Sequence, residues 1–508
     1  MKLNRKEYID KVRACFIGKN IGGTIGGPTE GKREILDVKG FSTPKGQPLP
    51  NDDLDLQLIW LRALEMQGPQ NINSEVLGRY WLNFIPPSWA EYGICKHHML
   101  QGIEPGVSGS SDINIWSHSN GAWIRSEIWA TTNPLLVDHA VRYALHDAMV
   151  DHGMGEGTIA AAFVAAMESA AFGITDIHEL IRIGLSKIDP ETRTAKTVKE
   201  VLRLHEEGKT WQEVRNAIVE LNADIGDGWF QAPSNIAFVL IGLLYGEGDY
   251  KKSLLIAVNC GDDTDCTGAT IGALMGIMHG TKVLPEDWVA YIGNRIVTCS
   301  INVGTSPRIP STIDDLVRRV GRMAEICCYF NGNGVYTDHL TGLDVEFTDG
   351  PTELERNLSS LLDRPWAENN EQDDIRALRL SLKPNAFAVH RGSITAIVRY
   401  IDGLNLNAGE TKHIGLTLVN NVKAYGNEPL TANVLLHVPE GCFTKESGFS
   451  FSVPCWTAMT PMAHSQEYIL SFEVDEVVGS KQKAILEIEV PEQGKTHYID
   501  IVFSKYLA

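Results

Sequence analysis

The stretch GDDTDCTGATIGALMGIMHG, residues 261–280, decides the fold class. It opens on three aspartates, Asp262, Asp263 and Asp265, and continues as small apolar residues with Gly268, Gly272, Gly276 and Gly280 in a four-residue repeat. On a helix such a repeat lies along one face. Glycine inside a helix costs about 1 kcal/mol relative to alanine, so a row of them needs compensation. Close approach to a second helix or to a ligand supplies it. A second row, Gly18, Gly22 and Gly26, stands in GKNIGGTIGGPTE at residues 18–30. Either this stretch is also a helix with its glycines on one face, or Gly18 to Gly31 is a flexible loop. A phosphate loop is excluded, because no Gly-Lys-Ser/Thr follows the glycines and no strand precedes them.

Outward from residue 261 the periodicity stays helical. Asp138 to Val150, Thr158 to Phe172, Ile177 to Ile188, Thr194 to Glu207 and Trp211 to Leu221 predict helices. Asn235 to Tyr245, Tyr250 to Val258 and Thr312 to Tyr329 continue the series, and Leu54, Leu58 and Leu61 start it near the N-terminus. After residue 376 the period becomes two. Ser393 to Ile401, Lys412 to Val419, Ala432 to Val438, Glu467 to Val474, Lys483 to Val490 and Tyr498 to Phe503 alternate apolar with polar between Gly and Pro punctuation. The fold expected is an all-α domain over 1–329, a connector over 330–375 with a short helix around Pro351 to Leu362, and an immunoglobulin-like β-sandwich over 376–508.

Bulk properties narrow the function. The 508 residues are 43% hydrophobic and 21% charged, as in a soluble globular protein. A formal net charge of -19 argues against non-specific binding to nucleic acid or to an anionic membrane. No uncharged apolar run reaches the ~18 residues that suggest a membrane span, and the N-terminus lacks the apolar core of a signal peptide. Nine cysteines without zinc-like spacing fit reduced thiols. A cytoplasmic location is expected.

Two acidic clusters carry the chemistry. Asn51-Asp52-Asp53 precedes the Leu54/Leu58/Leu61 helix; Asn51 suits an N-cap, and carboxylates in a first turn are stabilised by the helix dipole. Capping alone would explain that cluster. The Asp262–Asp265 cluster is harder to explain so, since it faces an almost uncharged helix that must be buried. A hard cation bound by carboxylate and hydroxyl oxygens would relieve the repulsion. Two clusters at two helix mouths suit one cation or a close pair.

Four motifs in order resemble the ADP-ribosylglycohydrolase family. Gly18 to Glu30 resembles its opening G-x-x-x-G-D-A-x-G-x-P-x-E, and Asn51 to Leu54 stands where it has T-D-D-T. Ser119-Asn120-Gly121-Ala122 with Arg125 resembles S-N-G-x-x-M-R, and Gly261 to Gly268 resembles G-G-D-T-D-T/S-x-A/G. The resemblance covers about residues 8 to 325. It implies an all-helical fold, two magnesium ions (manganese being an alternative) and hydrolysis at the anomeric carbon of an ADP-ribosyl group. Asn51, Asp52, Asp53, Asp263, Asp265 and Cys266 occupy the metal-ligand positions. Glu30 matches a loop glutamate near the scissile bond, with Glu30 or Asp53 as general base. Asn120 and Gly121 match the sugar-pocket loop, and His152 aligns with a Thr-His that reaches the site, unless it is a packed helix-end histidine.

The departures fall among the ligands. Asn51 and Cys266 replace hydroxyl residues, and a neutral thiol is a poor magnesium ligand. Asp262 replaces a glycine and could add a compensating carboxylate. Asp112 is either catalytic or a turn residue; Trp116, Trp123 and Trp129 either stack on substrate or pack in the core; His97-His98 is expected at the surface. The function expected is a metal-dependent glycoside hydrolase releasing ADP-ribose, or a related ribosyl group, from a small-molecule or protein acceptor. A furanosidase or nucleoside-type hydrolase, or a non-catalytic binder of an ADP-ribose-like ligand, are the alternatives.

Overall fold

A computed structural model describes residues 3, 5–302, 308–330, 381–421, 429–455 and 464–504. The connector expected over 330–375, with its short helix, lies outside the described residues apart from Phe330. Among the described residues the helices are α1 (Arg5–Gly26), α2 (Asp52–Gln67), α3 (Ser74–Phe84), α4 (Ala90–Leu100), α5 (Glu127–Thr132), α6 (Val137–His152), α7 (Glu156–Ala170) and α8 (Ile177–Ser186). They continue as α9 (Arg193–Glu206), α10 (Trp211–Leu221), α11 (Ala232–Tyr245), α12 (Tyr250–Asn259), α13 (Thr264–His279), α14 (Glu286–Ile292) and α15 (Ile313–Phe330). None is long and apolar enough to cross a membrane.

The glycine rows meet each other. A Cβ added to Gly22 would fall 1.8 Å from the Gly268 carbonyl oxygen, one on Gly18 2.1 Å from that of Gly272, and one on Gly26 2.0 Å from that of Thr264. Backbone-to-backbone packing of α1 on α13 is thus possible only because both faces lack side chains. The loop alternative for Gly18 to Gly31 fails as far as Gly26, where α1 ends in a short 3-10 turn, Gly27–Thr29. Gly280 is outside the row: it follows α13 with φ 72°, a helix-ending conformation suited to glycine. α13 is buried along almost its whole length and α1 largely so from Tyr8 onward.

The C-terminal strands form two antiparallel sheets. One has the order β1 (Ala386–Arg391), β2 (Ile394–Tyr400), β3 (Thr411–Asn420), β7 (Tyr468–Val474), β5 (Cys442–Phe443). The other runs β6 (Gly448–Val453), β4 (Leu430–His437), β8 (Lys481–Val490), β9 (Lys495–Ser504). Alternate residues of both sheets, such as Val398, Leu416, Leu436, Leu486 and Ile501, share one buried core, the arrangement of a β-sandwich.

The described residues pack as two compact units. One comprises those of Met1–Pro87, His118–Ala148 and Gly155–Glu368; the other those of Ser88–Ser117, Met149–Met154 and Asn369–Ala508. The β unit therefore includes two segments from within the helical stretch, and Ile103 and Val107 are buried in its core. A reading in chain order cannot see this, because the two segments are distant in sequence from the strands they pack on.

Candidate functional site

The site is built in the helical unit at the end of α1 and the starts of α2 and α13. The Thr264 hydroxyl donates to the Gly26 carbonyl (2.8 Å) and lies 3.2 Å from the Thr29 hydroxyl, fixing the mouth of α13 to the turn after α1. The chain beyond that turn is held by main-chain bonds: Gly31 N–H donates to Asp262 O (2.8 Å) and Asp262 N–H to Lys32 O (2.7 Å). Glu30, at the solvent-facing mouth, is thereby set beside the second acidic cluster.

The residues converge as two triads that share Asp265. One ligand atom each from Glu30, Asp263 and Asp265 lies within 4.8 Å of the others, and the same holds for Asp53, Asp265 and Cys266. Asp53 is fully buried, and Asp263 and Asp265 are only 5% and 8% exposed. Asp53 Oδ2, Asp263 Oδ1 and Asp265 Oδ1 have no hydrogen-bond partner among the described residues. Burial pushes the Asp263 carboxyl well above the usual range, with Asp265, Glu30 and Asp53 adding to the effect. Burial does the same for Asp53, against the pull of Lys19. Glu30 is pushed up to about 7 by Asp265 first, then by desolvation and Asp52. The free oxygens of Asp263 and Asp265, buried hard donors in mutual repulsion, fit a divalent cation.

The remaining expected residues take distinct places. Asn51 caps α2, its amide oxygen accepting from Asp53 N–H at 2.7 Å. Its Nδ2 occupies the space beside Gly23, where an added Cβ would fall 2.3 Å from it; Gly23 stands where the family motif has Asp. Asp52, half-buried, is in neither triad but adds its charge to Glu30 and Asp53. The Cys266 thiol donates to Asp53 Oδ1 at 3.4 Å, and burial pushes it well above the usual thiol range.

Asn120 Nδ2 donates to Asp263 Oδ2 at 2.7 Å, and Asn120 Oδ1 accepts from Trp123 Nε1 at 3.0 Å. Gly121 is buried, its carbonyl clamped by the Arg125 guanidinium. Arg125 is anchored in turn on Asp147 at 3.0 Å. His152 belongs to the β unit, fully buried with Nδ1 3.1 Å from Asp151 Oδ1.

Several alternatives are resolved. Asp262 does not add a carboxylate to the cluster. It accepts from Phe230 N–H (3.0 Å) and Asn235 Nδ2 (2.7 Å), tying α11 to the loop. Its φ of 66° is the reason a glycine suits that position. Asp112 bonds the Asn385 side chain, as a turn residue does. Trp129 is core, donating to Asp147 at 2.9 Å. His98 is buried, Nδ1 2.9 Å from Ser108 O, contrary to the surface position expected.

Sequence reasoning missed the layer beneath the site. Lys19 of α1 is 1% exposed; its ammonium donates to Glu127 Oε1 (2.7 Å) and Ile124 O (2.7 Å) and lies 3.9 Å from Asp53 Oδ2. Gln57 bridges Glu127 Oε2 and Asp53 O, each at 2.8 Å. Asp55 Oδ2 accepts from Cys299 and Ser300 N–H at 2.6 and 2.7 Å. One signal was available: Lys19 is the one charged residue in the glycine-rich second half of α1, Ala14 to Gly26, and a charge in so small-sided a stretch has to find a buried anion.

The model of the ADP-ribosylglycohydrolase family matches residues 4–324. Among solved structures, one described as an "ADP-ribosylglycohydrolase-related protein complex" is similar, with 18% identity and a TM-score of 0.44, over 63% of this chain and 99% of that one. No curated protein matches. The family match takes in α1 to α14 and both acidic clusters: the chain belongs to the ADP-ribosylglycohydrolase family.

Proposed function

We propose that the chain is a metal-dependent glycoside hydrolase that cleaves the bond between ADP-ribose, or a related ribosyl group, and its acceptor. Family membership supports the reaction class. The observation that carries the metal dependence is Asp263: one carboxylate oxygen is fixed by Asn120, and the other is buried, unpartnered and grouped with Asp265 and Glu30. Glu30, Asp263 and Asp265 would hold a hard divalent cation, magnesium with manganese as the alternative. When bound, it supplies Lewis-acid stabilisation of developing negative charge and orients ribose hydroxyls.

The side chains divide the remaining work. Glu30 is the exposed carboxylate at the mouth, so it can take the proton of the water that attacks the anomeric carbon. Asp53, fully buried between Lys19 and Cys266 and grouped with Asp265, positions the inner side of the cluster. Asn120 orients Asp263, and Trp123 orients Asn120. Asn120 and Gly121 form one edge of the sugar pocket.

The test is turnover of a substrate panel by the full chain: ADP-ribosyl-arginine, ADP-ribosyl-serine, free nucleosides and aryl furanosides, with magnesium or with chelator. Release of ADP-ribose that needs the metal and is lost in Asp263→Ala is expected. Turnover of simple glycosides alone would replace the substrate, and no turnover of any would contradict the proposal.

A further inference from the structure

We infer that this chain's centre takes one divalent cation, on Glu30, Asp263 and Asp265, and that the Asp53 side is closed to a second by the Lys19 ammonium and the Cys266 thiol. The inference rests on the metal-dependent reading above. The two triads share Asp265 but differ in chemistry. The first offers three carboxylates, and Asp263 Oδ1 and Asp265 Oδ1 are buried without a hydrogen-bond partner. Hard oxygen donors suit a hard cation.

The second triad is already engaged from within the protein. Cys266 donates its proton to Asp53 Oδ1 at 3.4 Å, and Lys19 Nζ stands 3.9 Å from Asp53 Oδ2. A thiol that acts as a donor offers no anionic sulfur, and sulfur is mismatched to a hard cation in any case. Lys19 is held in place by Glu127 and Ile124, each at 2.7 Å, so its charge is a fixed part of the site. Asn51, at another ligand position of the family, has its oxygen committed to capping α2. A second ion would therefore meet a fixed ammonium and a protonated sulfur where it needs oxygen ligands.

Full-length chain stripped of metal would be titrated with Mn2+, with bound ions counted by equilibrium dialysis and free Mn2+ followed by electron paramagnetic resonance. One ion per chain is expected. The double variant Lys19→Gln/Cys266→Ser, which removes the ammonium and puts a hydroxyl oxygen in place of the sulfur, is expected to bind two. Glu30→Gln is expected to weaken the single ion by about 10-fold or more, with an unchanged circular dichroism spectrum showing that it folds. Two ions in the unaltered chain would overturn this inference and leave the metal-dependent reading standing; none would overturn both. A single ion in the folded double variant would overturn the part assigned to Lys19 and the thiol.

Discussion

At the scale of single residues, the site depends on which oxygens are left without partners. Asn120 holds one oxygen of Asp263 and thereby aims the other. Asn120→Ala is expected to weaken metal affinity by ~10–100-fold, as for other residues that orient ligands, with little change in melting temperature; isothermal titration checks it. Glu30, pushed up to about 7 without metal, holds a proton below that pH. A cation has to displace it, so affinity is expected to fall as pH drops from about 8 to about 6, with proton release on binding. Titrations in buffers of different ionisation enthalpy read that release. Asp55, buried, is pushed up to about 7 by desolvation despite two main-chain donors. The folded chain then retains a proton that the unfolded chain loses near pH 4, so this group's contribution makes stability fall as pH rises from about 4 to about 7, by roughly 4 kcal/mol at most. Asp55→Asn is expected to flatten that part of the stability–pH curve measured by denaturant unfolding.

At the scale of elements, the pairing of α1 with α13 positions everything else. Gly22→Ala would drive a Cβ to within 1.8 Å of the Gly268 carbonyl, with backbone on both sides and nothing to yield. A loss of about 3 kcal/mol or more in denaturant unfolding is expected; the small gain of an ordinary helical Gly→Ala change would contradict close packing. The need for close approach was legible in the sequence, because a row of a penalised residue needs compensation; that the two rows supply it to each other was not, since they lie far apart in the chain. The acidic clusters were legible too, since their charge preceded helices that had to be buried. Lys19, Glu127 and Gln57 were not, because a buried ion pair between residues 108 positions apart leaves no local pattern. Asp262 misled for a related reason: its composition matched a ligand, while its role follows from a φ of 66° and from donors on α11.

At the scale of the whole molecule, the expected order of helices followed by antiparallel strands is what the described residues show. All six expected strands are present; the sequence reading lacked β1, β5 and β6, the last two being short or weakly alternating. It could not show that Ile103 and Val107, far upstream, are buried in the β core. A chain cut after residue 375 would leave both without that core. Such a fragment is expected to be less stable and more prone to aggregate than the full chain, checked by melting temperature and light scattering; a fragment that melts as the full chain does would contradict this.

Whether Glu30, Asp263 and Asp265 hold a cation together is tested most directly by crystals of the full chain grown with Mn2+ and measured at the manganese edge. An anomalous peak within bonding distance of oxygens from all three side chains is expected. Full-occupancy manganese elsewhere in the protein with no peak among these carboxylates would contradict it.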